Sequence, residues 1–329
     1  MIRVGLIGVG SFGAKRAAAV TQSSGGTLVG IADEDAGRVQ AVAKELKTEP
    51  NDVEGLLTRD DVDVIVVCVP NRFHMPVTIN ALQNGKHVLC EKPLARTVEE
   101  GQQMVAASVK AGKLLKTGSN HRYFASVRKA HEVVQSGFIG DVIGFNGRIG
   151  NNGERVKKSW CWDREMSGGG TLLDNGCHML DIARWFMGDF VKARGLVSNA
   201  YWKDCPVEDS ATGIFLTEDG RMAVINSSWR QLSGYFHFEI NGTDGYITVD
   251  GRFDTHGGDH VYWQSVKERG EIYGADYGRV KPDSYVLELD EFFDCIQRGL
   301  APTPSGQDGL EVLKMVEEIY KNTSGPGGV

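Results

Sequence analysis

VGLIGVGSFG, residues 4–13, is an unbroken apolar run that gives way to three closely spaced glycines. A continuous apolar run of this kind is what a parallel strand covered on both faces shows. The alanine-rich stretch over 14–20 that follows reads as a helix. A strand passing through GxGxxG into a helix is the layout of a dinucleotide-binding turn. In that layout Gly8 permits the tight turn, Gly10 lets backbone approach a pyrophosphate, and Gly13 allows close helix–strand packing. The first turn of the helix, with Ser11 and Phe12, then offers N–H groups and a positive dipole end to the phosphates. A second strand over 27–32 ends at Asp33, twenty residues after Gly13. A carboxylate there accepts hydrogen bonds from ribose hydroxyls and repels a 2′-phosphate, so NAD is expected ahead of NADP. Arg38 is placed to soften that preference by turning toward a phosphate, which leaves NADP open.

The alternation continues to residue 120. A helix is expected over 36–46, a strand at VDVIVVCV (62–69), and a helix over 77–83. The strand in GKHVLCEKP (85–93), a helix over 98–111 and a strand over 114–117 complete the pattern. Strands and helices alternating at these lengths imply βαβ units, a parallel sheet and right-handed crossovers. The fold class is therefore α/β, with a doubly wound parallel sheet over 1–120. From 121 the pattern changes to a helix over 125–135, an extended run over 142–149 and a glycine-led helix over 171–186. Strand candidates follow over 193–198, 211–216, 222–227, 236–240 and 246–249, with Asp219-Gly220 and Thr243-Asp244-Gly245 as turns between neighbours. An α+β domain over 121–329 with a large mixed or antiparallel sheet is expected. One face of that sheet would be covered by helices and the other would pack in a homo-oligomer, a dimer or tetramer. Two helices over 287–297 and 310–320, separated by Pro302 and Pro304, lie in a segment, 285–321, expected to pack back on the first domain. The tail over 324–328 reads as disordered.

Composition sets the class. The chain has 329 residues, 41% hydrophobic and 24% charged, as an ordinary globular protein does. Its net charge of −7 is uneven, with 14 basic against 13 acidic residues in 1–120 and 22 against 30 in the remainder. An acidic larger half argues against a nucleic-acid partner. No apolar run approaches a membrane span, and no leader layout of charged region, apolar region and cleavage site precedes the first strand. The six cysteines show no paired spacing for zinc or disulfides, so buried reduced thiols and a cytoplasmic location are expected. DTHGGDH (254–260) has no cysteine or third clear ligand beside it and reads as a loop, so no metal is expected.

Two stretches carry chemistry. In GKHVLCEKP the strand must stop at Pro93, which has no N–H for the ladder, and this leaves Glu91 and Lys92 at its carboxyl end. That edge of an open α/β sheet is where ligands bind. A salt bridge between Lys92 and Glu91 is the plainer reading of the same residues. In SGGGTLLDNGCHMLDIARWF (167–186), Asp174 and His178 lie four apart on one helix face, and Gly176 leaves room for a close approach. Taken alone, such a pair is more readily a hydrogen-bonded tie between packed elements than a catalytic pair.

Together these motifs resemble the glucose–fructose oxidoreductase / inositol dehydrogenase / rhizopine catabolism (Gfo/Idh/MocA) family of NAD(P)-dependent oxidoreductases. The resemblance runs over nearly the whole chain, through GVGSFG, VCVPNRFHMP, GKHVLCEKPLA, GGGTLLDNGCHMLD and the C-terminal helix pair. It implies that Lys92, Asp174 and His178 form the catalytic group, with a cis Lys92-Pro93 peptide. Hydride transfer needs a nicotinamide beside a carbinol carbon and a group to take the hydroxyl proton. Imidazole titrates near neutrality, so His178 is expected as acid/base. Lys92, with an ordinary pKa of ~10.4, is expected to polarise the oxygen and relay the proton, and Asp174 to orient substrate and His178. Pro70, Asn71, His74, Glu91 and Lys92 itself join the expected cofactor contacts, although His74 reads equally as a helix-start residue. Asn120, Arg122 and Tyr123 are expected at the substrate, His121 beside them. Arg148 and the pair Lys157 and Lys158 would suit an acidic substrate, and Trp160 and Trp162 a stacked sugar ring, with solvated loop and packing as the plainer alternatives. The expected activity is an NAD(P)-dependent dehydrogenase or reductase acting on a secondary alcohol of a sugar, cyclitol or sugar derivative. An NAD-dependent glycosidase using transient oxidation, or a non-catalytic sensor of the same fold, are the alternatives.

Overall fold

Six parallel strands form the sheet of the first unit of the chain, in the order β3-β2-β1-β4-β5-β6. The computed structural model describes every residue except 155, 158, 232, 252–257, 279–282 and 324–329. Of the loop expected over 254–260, residues 254–257 lie outside the described residues, as do the tail at 324–328 and Lys158, while Asp259 and His260 open a strand and not a loop. The chain divides into two compact units, Met1–Asn120 with Asp283–Leu313, and His121–Pro282 with Lys314–Val329.

In chain order the first unit runs β1 (Ile2–Ile7), α1 (Ser11–Gln22), β2 (Gly26–Ala32), α2 (Ala36–Leu46), β3 (Pro50–Asn51) and α3 (Val53–Thr58). It continues with β4 (Val64–Val67), α4 (His74–Gln83), β5 (His87–Glu91), α5 (Val98–Ala111) and β6 (Leu115–Gly118). All four β4 residues are buried, as a strand covered on both faces requires. The strand order reverses between β1 and β4, so the carboxyl ends of these strands form a switch point, the usual binding place in an open α/β sheet. The turns after β1 and β4 both leave from that edge.

Helix ends follow ordinary chemistry. Thr97 caps α5 by accepting from Glu100 N, and the helix ends on Gly112 in the left-handed region at φ 60°. A helix from far along the chain, Ser284–Arg298, completes this core. Its Leu289, Phe292 and Phe293 pack with Val4, Leu6, Val20 and Leu28. Each buried phenylalanine contributes about 1.5–3 kcal/mol. Gly26 is a glycine for the same reason, since a Cβ there would come within 2.5 Å of the Phe293 ring.

The second unit contains α6 (Ala125–Gln135), β7 (Val142–Gly150), α7 (Arg164–Ser167) and α8 (Cys177–Met187). Seven strands follow: β8 (Phe190–Ser198), β9 (Ser210–Thr217), β10 (Met222–Ser228), β11 (Tyr235–Gly242), β12 (Gly245–Asp250), β13 (Asp259–Ser265) and β14 (Ile272–Gly278). In chain order after β14 come the helix Ser284–Arg298, α9, and Gly306–Asn322, α10, whose residues through Leu313 belong to the first unit. The eight-stranded sheet has the order β14-β13-β12-β11-β7-β10-β9-β8. Every neighbouring pair is antiparallel except β7 with β10, so the sheet is mixed.

The inner side of β7 meets α8, and a Cβ on Gly147 would lie 2.5 Å from Met179. On the other side, Arg194, Ile214, Val224, Asn146, Glu239, Thr248 and Tyr262 form one cross-strand row. Leu196, Ile214, Met222, Val224 and Tyr262 are exposed. Besides the two-residue β3 of the first unit, two strands of this sheet were absent from the expectation, β13 and β14. Their apolar residues are interrupted by Asp259, His260, Gly274 and Asp276, which dilutes the alternation. The helix expected over 171–186 begins instead with a π turn, Leu172–Gly176, before α8. Among the described residues no helix is long and apolar enough to cross a membrane.

One half-buried histidine gives the first unit an acid-sensitive joint. His87 opens β5, and its Nδ1 accepts from Leu114 N at 3.0 Å, which only a ring unprotonated at Nδ1 can do. Burial, helped by the Lys113 charge, lowers its pKa from 6.5 to about 4. A lowered folded-state pKa means that protons favour the unfolded chain, so this contribution to stability is full above 6.5 and is lost as pH falls through about 4. Thermal unfolding between these limits should show a flatter pH dependence for His87→Gln than for wild type, and parallel curves would refute the assignment.

Candidate active site

The turn after β1 has the shape its glycines imply. Gly8 takes φ +94°, and a Cβ there would lie 2.5 Å from Cys68 O. A Cβ on Gly13 would lie 1.7 Å from Gly8 O, so helix and strand approach as closely as backbone allows. Gly10 differs, with nothing within 4 Å of a Cβ position. It is the N-cap of α1, and no side chain caps that helix. Open space before uncapped N–H groups is what a pyrophosphate needs, so the residues present fit a dinucleotide. Ser11 and Phe12 lie exposed in the first turn, Phe12 at 58% with the Lys15 ammonium 5.2 Å from its ring centre.

Asp33 is fixed from two sides, accepting from Val9 N at 2.7 Å and Asp35 N at 3.0 Å. Arg38 lies 3.3 Å from Asp33 and 3.3 Å from Asp35. The second strand thus delivers a carboxylate against the glycine turn. Pro70 leads into a short turn, Asn71–Phe73, in which Asn71 is buried.

Two expected cofactor contacts are internal fastenings instead. The buried His74 ring has Nδ1 2.9 Å from Pro93 O and Nε2 2.9 Å from Val69 O. With both nitrogens against backbone carbonyls, the ring sits between the turn after β4 and the turn after β5, donates to one of the two carbonyls when neutral, and has no nitrogen left for a cofactor. Burial lowers its pKa. Glu91 is likewise taken. One oxygen meets Arg16 Nε at 2.5 Å, and the other accepts from Lys92 N at 3.3 Å. Arg16 is fully buried, also reaches Glu288 at 2.5 Å, and stacks its guanidinium 4.5 Å from the Tyr285 ring centre. Burial pushes Tyr285 up to about 12, Glu91 adding to the shift. Lys92 follows at the end of β5, half-buried, and its peptide to Pro93 is cis. Asn120 is buried and donates to Ser284 Oγ at 3.0 Å.

In the second unit, Asp174 lies in the π turn and His178 in the first turn of α8. π turns of this kind recur at functional sites. Asp174 Oδ2 accepts from the indole of fully buried Trp229 at 3.3 Å. His178 is buried, its ring stacked on His121 at 3.7 Å between centres and 14° between planes. His121 also meets Phe124 at 4.5 Å and the edge of Phe236 at 5.5 Å. The site helix therefore presents an acid and an imidazole, each held by an aromatic partner.

Several substrate candidates fall elsewhere. Arg122 is buried and paired with Asp181 through Nε at 2.8 Å and a second nitrogen at 2.7 Å, its guanidinium 5.2 Å from the Trp185 ring centre. Such a buried bidentate pair is among the strong charge-assisted hydrogen bonds. Arg148 lies in the outer row of the sheet between Asn226 and His237, opposite the face that meets α8. It stacks on Tyr235 at 4.9 Å. The space at Gly176 is filled by protein, since a Cβ would lie 3.3 Å from Ser227 Cβ. Trp162 packs on Trp202 at 5.7 Å within the cluster that holds Trp229, while Trp160 stays 39% exposed. Tyr123 is half-buried. Lys157 sits 4.9 Å from the Trp202 ring centre and 4.0 Å from Glu154.

Trp229 and Arg16 were not among the expected site residues, and His121 was expected only as a lining residue of the substrate cleft. Arg16 alone had a local signal, a lone guanidinium on the apolar face of AKRAAAV.

Residues 2–119 match the family described as "Oxidoreductase family, NAD-binding Rossmann fold", and residues 127–248 match "GFO/IDH/MocA C-terminal domain". The chain is 29% identical over 320 residues to the myo-inositol 2-dehydrogenase of Thermotoga maritima, with 95% of this chain and 93% of that one covered. It is 26% identical over 330 residues to D-xylose 1-dehydrogenase (NADP(+)) 2 of Haloferax volcanii, covering 97% and 96%. Among solved structures, aldose-aldose oxidoreductase from Caulobacter crescentus complexed with glycerol superposes with a TM-score of 0.87 at 26% identity, over 98% and 97% of the two chains.

Proposed function

The chain belongs to the GFO/IDH/MocA family of oxidoreductases, and we propose that it moves a hydride between NAD and a secondary alcohol or ketone of a sugar, cyclitol or sugar derivative. The observation that carries this reading is the open, uncapped backbone at Gly10 on the switch-point edge of the sheet. Full-length relatives named as inositol and xylose dehydrogenases support the substrate class.

The turn over residues 8–13 and Asp33 hold the dinucleotide, with Ser11, Phe12, Pro70 and Asn71 beside it. Bound there, the nicotinamide supplies the hydride acceptor or donor. Oxidation of a carbinol also releases a hydroxyl proton, and this chain's residues must move it. His178 takes that proton, since imidazole exchanges protons near neutral pH. Lys92 donates a hydrogen bond to the substrate oxygen and stabilises its developing negative charge. Asp174 orients substrate and His178, and Trp229 holds Asp174 in turn. The assignment of Lys92, Asp174 and His178 rests on the family motif together with their placement at a strand end and on one helix stripe.

NAD is preferred over NADP in this reading. Asp33 presents a carboxylate where a 2′-phosphate would lie, and Arg38 is engaged by Asp33 and Asp35. The open apolar row of the eight-stranded sheet, with Leu196, Ile214, Met222 and Val224, supports a homo-oligomer through that face.

Turnover against a panel of sugars, inositols and sugar nucleotides, followed by nicotinamide absorbance, tests the activity. Net NADH formation with at least one polyol is expected. Release of a leaving group without net NADH, or no turnover across the panel, would overturn it. Asp33→Ser should move the ratio of NAD to NADP efficiency toward NADP by about tenfold or more, the scale of ~1.4 kcal/mol. An unchanged ratio would remove Asp33 from the cofactor site.

A further inference from the structure

We infer that Glu208, with Tyr320, is the positioning group that sets the start of the site helix and holds Asp174 in register with Trp229. The inference rests on the role proposed above for Asp174.

A helix start leaves backbone N–H groups without partners, and a local Ser, Thr, Asp or Asn usually caps them. Here the residue at the N-cap position, Thr171, makes no side-chain cap. The hydroxyl of Thr171 lies 2.8 Å from Ser227 Oγ instead. Glu208 supplies the cap from far along the chain. One of its carboxylate oxygens accepts from Gly170 N at 2.9 Å and the other from Leu172 N at 3.0 Å. Its own carbonyl accepts from Thr171 N at 3.0 Å. Three consecutive N–H groups at the head of the π turn therefore end on one residue, which is only 2% exposed. Tyr320 in the last turns of α10 donates to the same carboxylate at 2.8 Å.

The glycine run follows from this arrangement. A Cβ on Gly169 would lie 2.3 Å from Tyr320 Oη, and one on Gly170 would lie 2.0 Å from Glu208 O. These glycines make room for the clamp. Asp209, the next residue, accepts from Trp229 N through its carbonyl at 2.8 Å. Its carboxylate accepts from Tyr201 N at 2.7 Å and Trp202 N at 2.9 Å. The dipeptide Glu208-Asp209 thus grips both sides of one hydrogen bond, the helix turn that bears Asp174 and the backbone of the indole that donates to it. A shift of either partner would misalign Asp174.

Glu208→Gln keeps the size of the side chain but turns one acceptor into an amide donor facing a backbone N–H. The readout is the indole N–H spectrum of the full-length protein labelled with 15N-tryptophan. Trp229 is identified by its loss in Trp229→Phe. In Glu208→Gln the Trp229 signal should move, as it should in Asp174→Asn. Turnover should fall about ten- to a hundredfold, the scale of a catalytic group displaced by about 1 Å, with the dissociation constant for NADH unchanged. Tyr320→Phe should give a smaller change in the same direction, and it decides the matter if Glu208→Gln does not fold. An unmoved Trp229 signal, or a moved signal with wild-type turnover, would overturn the inference. Wild-type turnover in Asp174→Asn would overturn the role of Asp174 itself, which separates the two failures.

Discussion

The first unit is organised around one buried guanidinium. Arg16, from the helix that opens at the glycine turn, binds Glu91 at the end of β5 and Glu288 in α9. Burial opposes its charge, but the carboxylates of Glu288 and Glu91 more than offset this and hold its pKa above the ordinary value. Removing one partner of such a cluster strands the others, at a cost of about 3–5 kcal/mol. What the cluster secures is alignment. It fixes the phosphate-facing helix, the strand that carries Lys92 and a helix from the far end of the chain to a single point. Lys116, fully buried, extends the network by donating to Glu291 at 2.9 Å and to Thr303 O at 2.6 Å.

The second unit solves the same problem with the opposite charge. Where Arg16 gathers carboxylates, Glu208 gathers N–H groups from a helix start. In both units a buried ionisable residue bound to several partners stands behind a proposed functional side chain. The functional groups can then be few, because residues next to them in sequence or space, such as His74, Glu91 and Trp229, are engaged in holding them.

The architecture was legible where a pattern is local. The glycine turn, the βαβ alternation and the family motifs read correctly because strand and helix periods and turn chemistry act over a few residues. The π turn was not legible, since LLDNG looks the same whether its carbonyls bond four or five residues on. Partners remote in sequence were equally hidden. Arg16 meets Glu288 across 272 positions, and Trp229 meets Asp174 across 55. That blindness also explains the misplaced residues. Glu91, His74 and Arg122 are polar groups near functional motifs and resemble ligand contacts until their true partners appear. Arg148 was misplaced by a single step of strand alternation, which decides the face of a sheet.

The proposed mechanism requires that Lys92 do chemistry and not merely build the cofactor turn. The direct measurement is the turnover of Lys92→Ala set beside its dissociation constant for NADH, with the best substrate found for the wild-type enzyme. The account predicts NADH binding within about twofold of wild type, and turnover lower by about a hundredfold or more, the usual scale for a lost proton-handling group. Turnover near the wild-type value would contradict it.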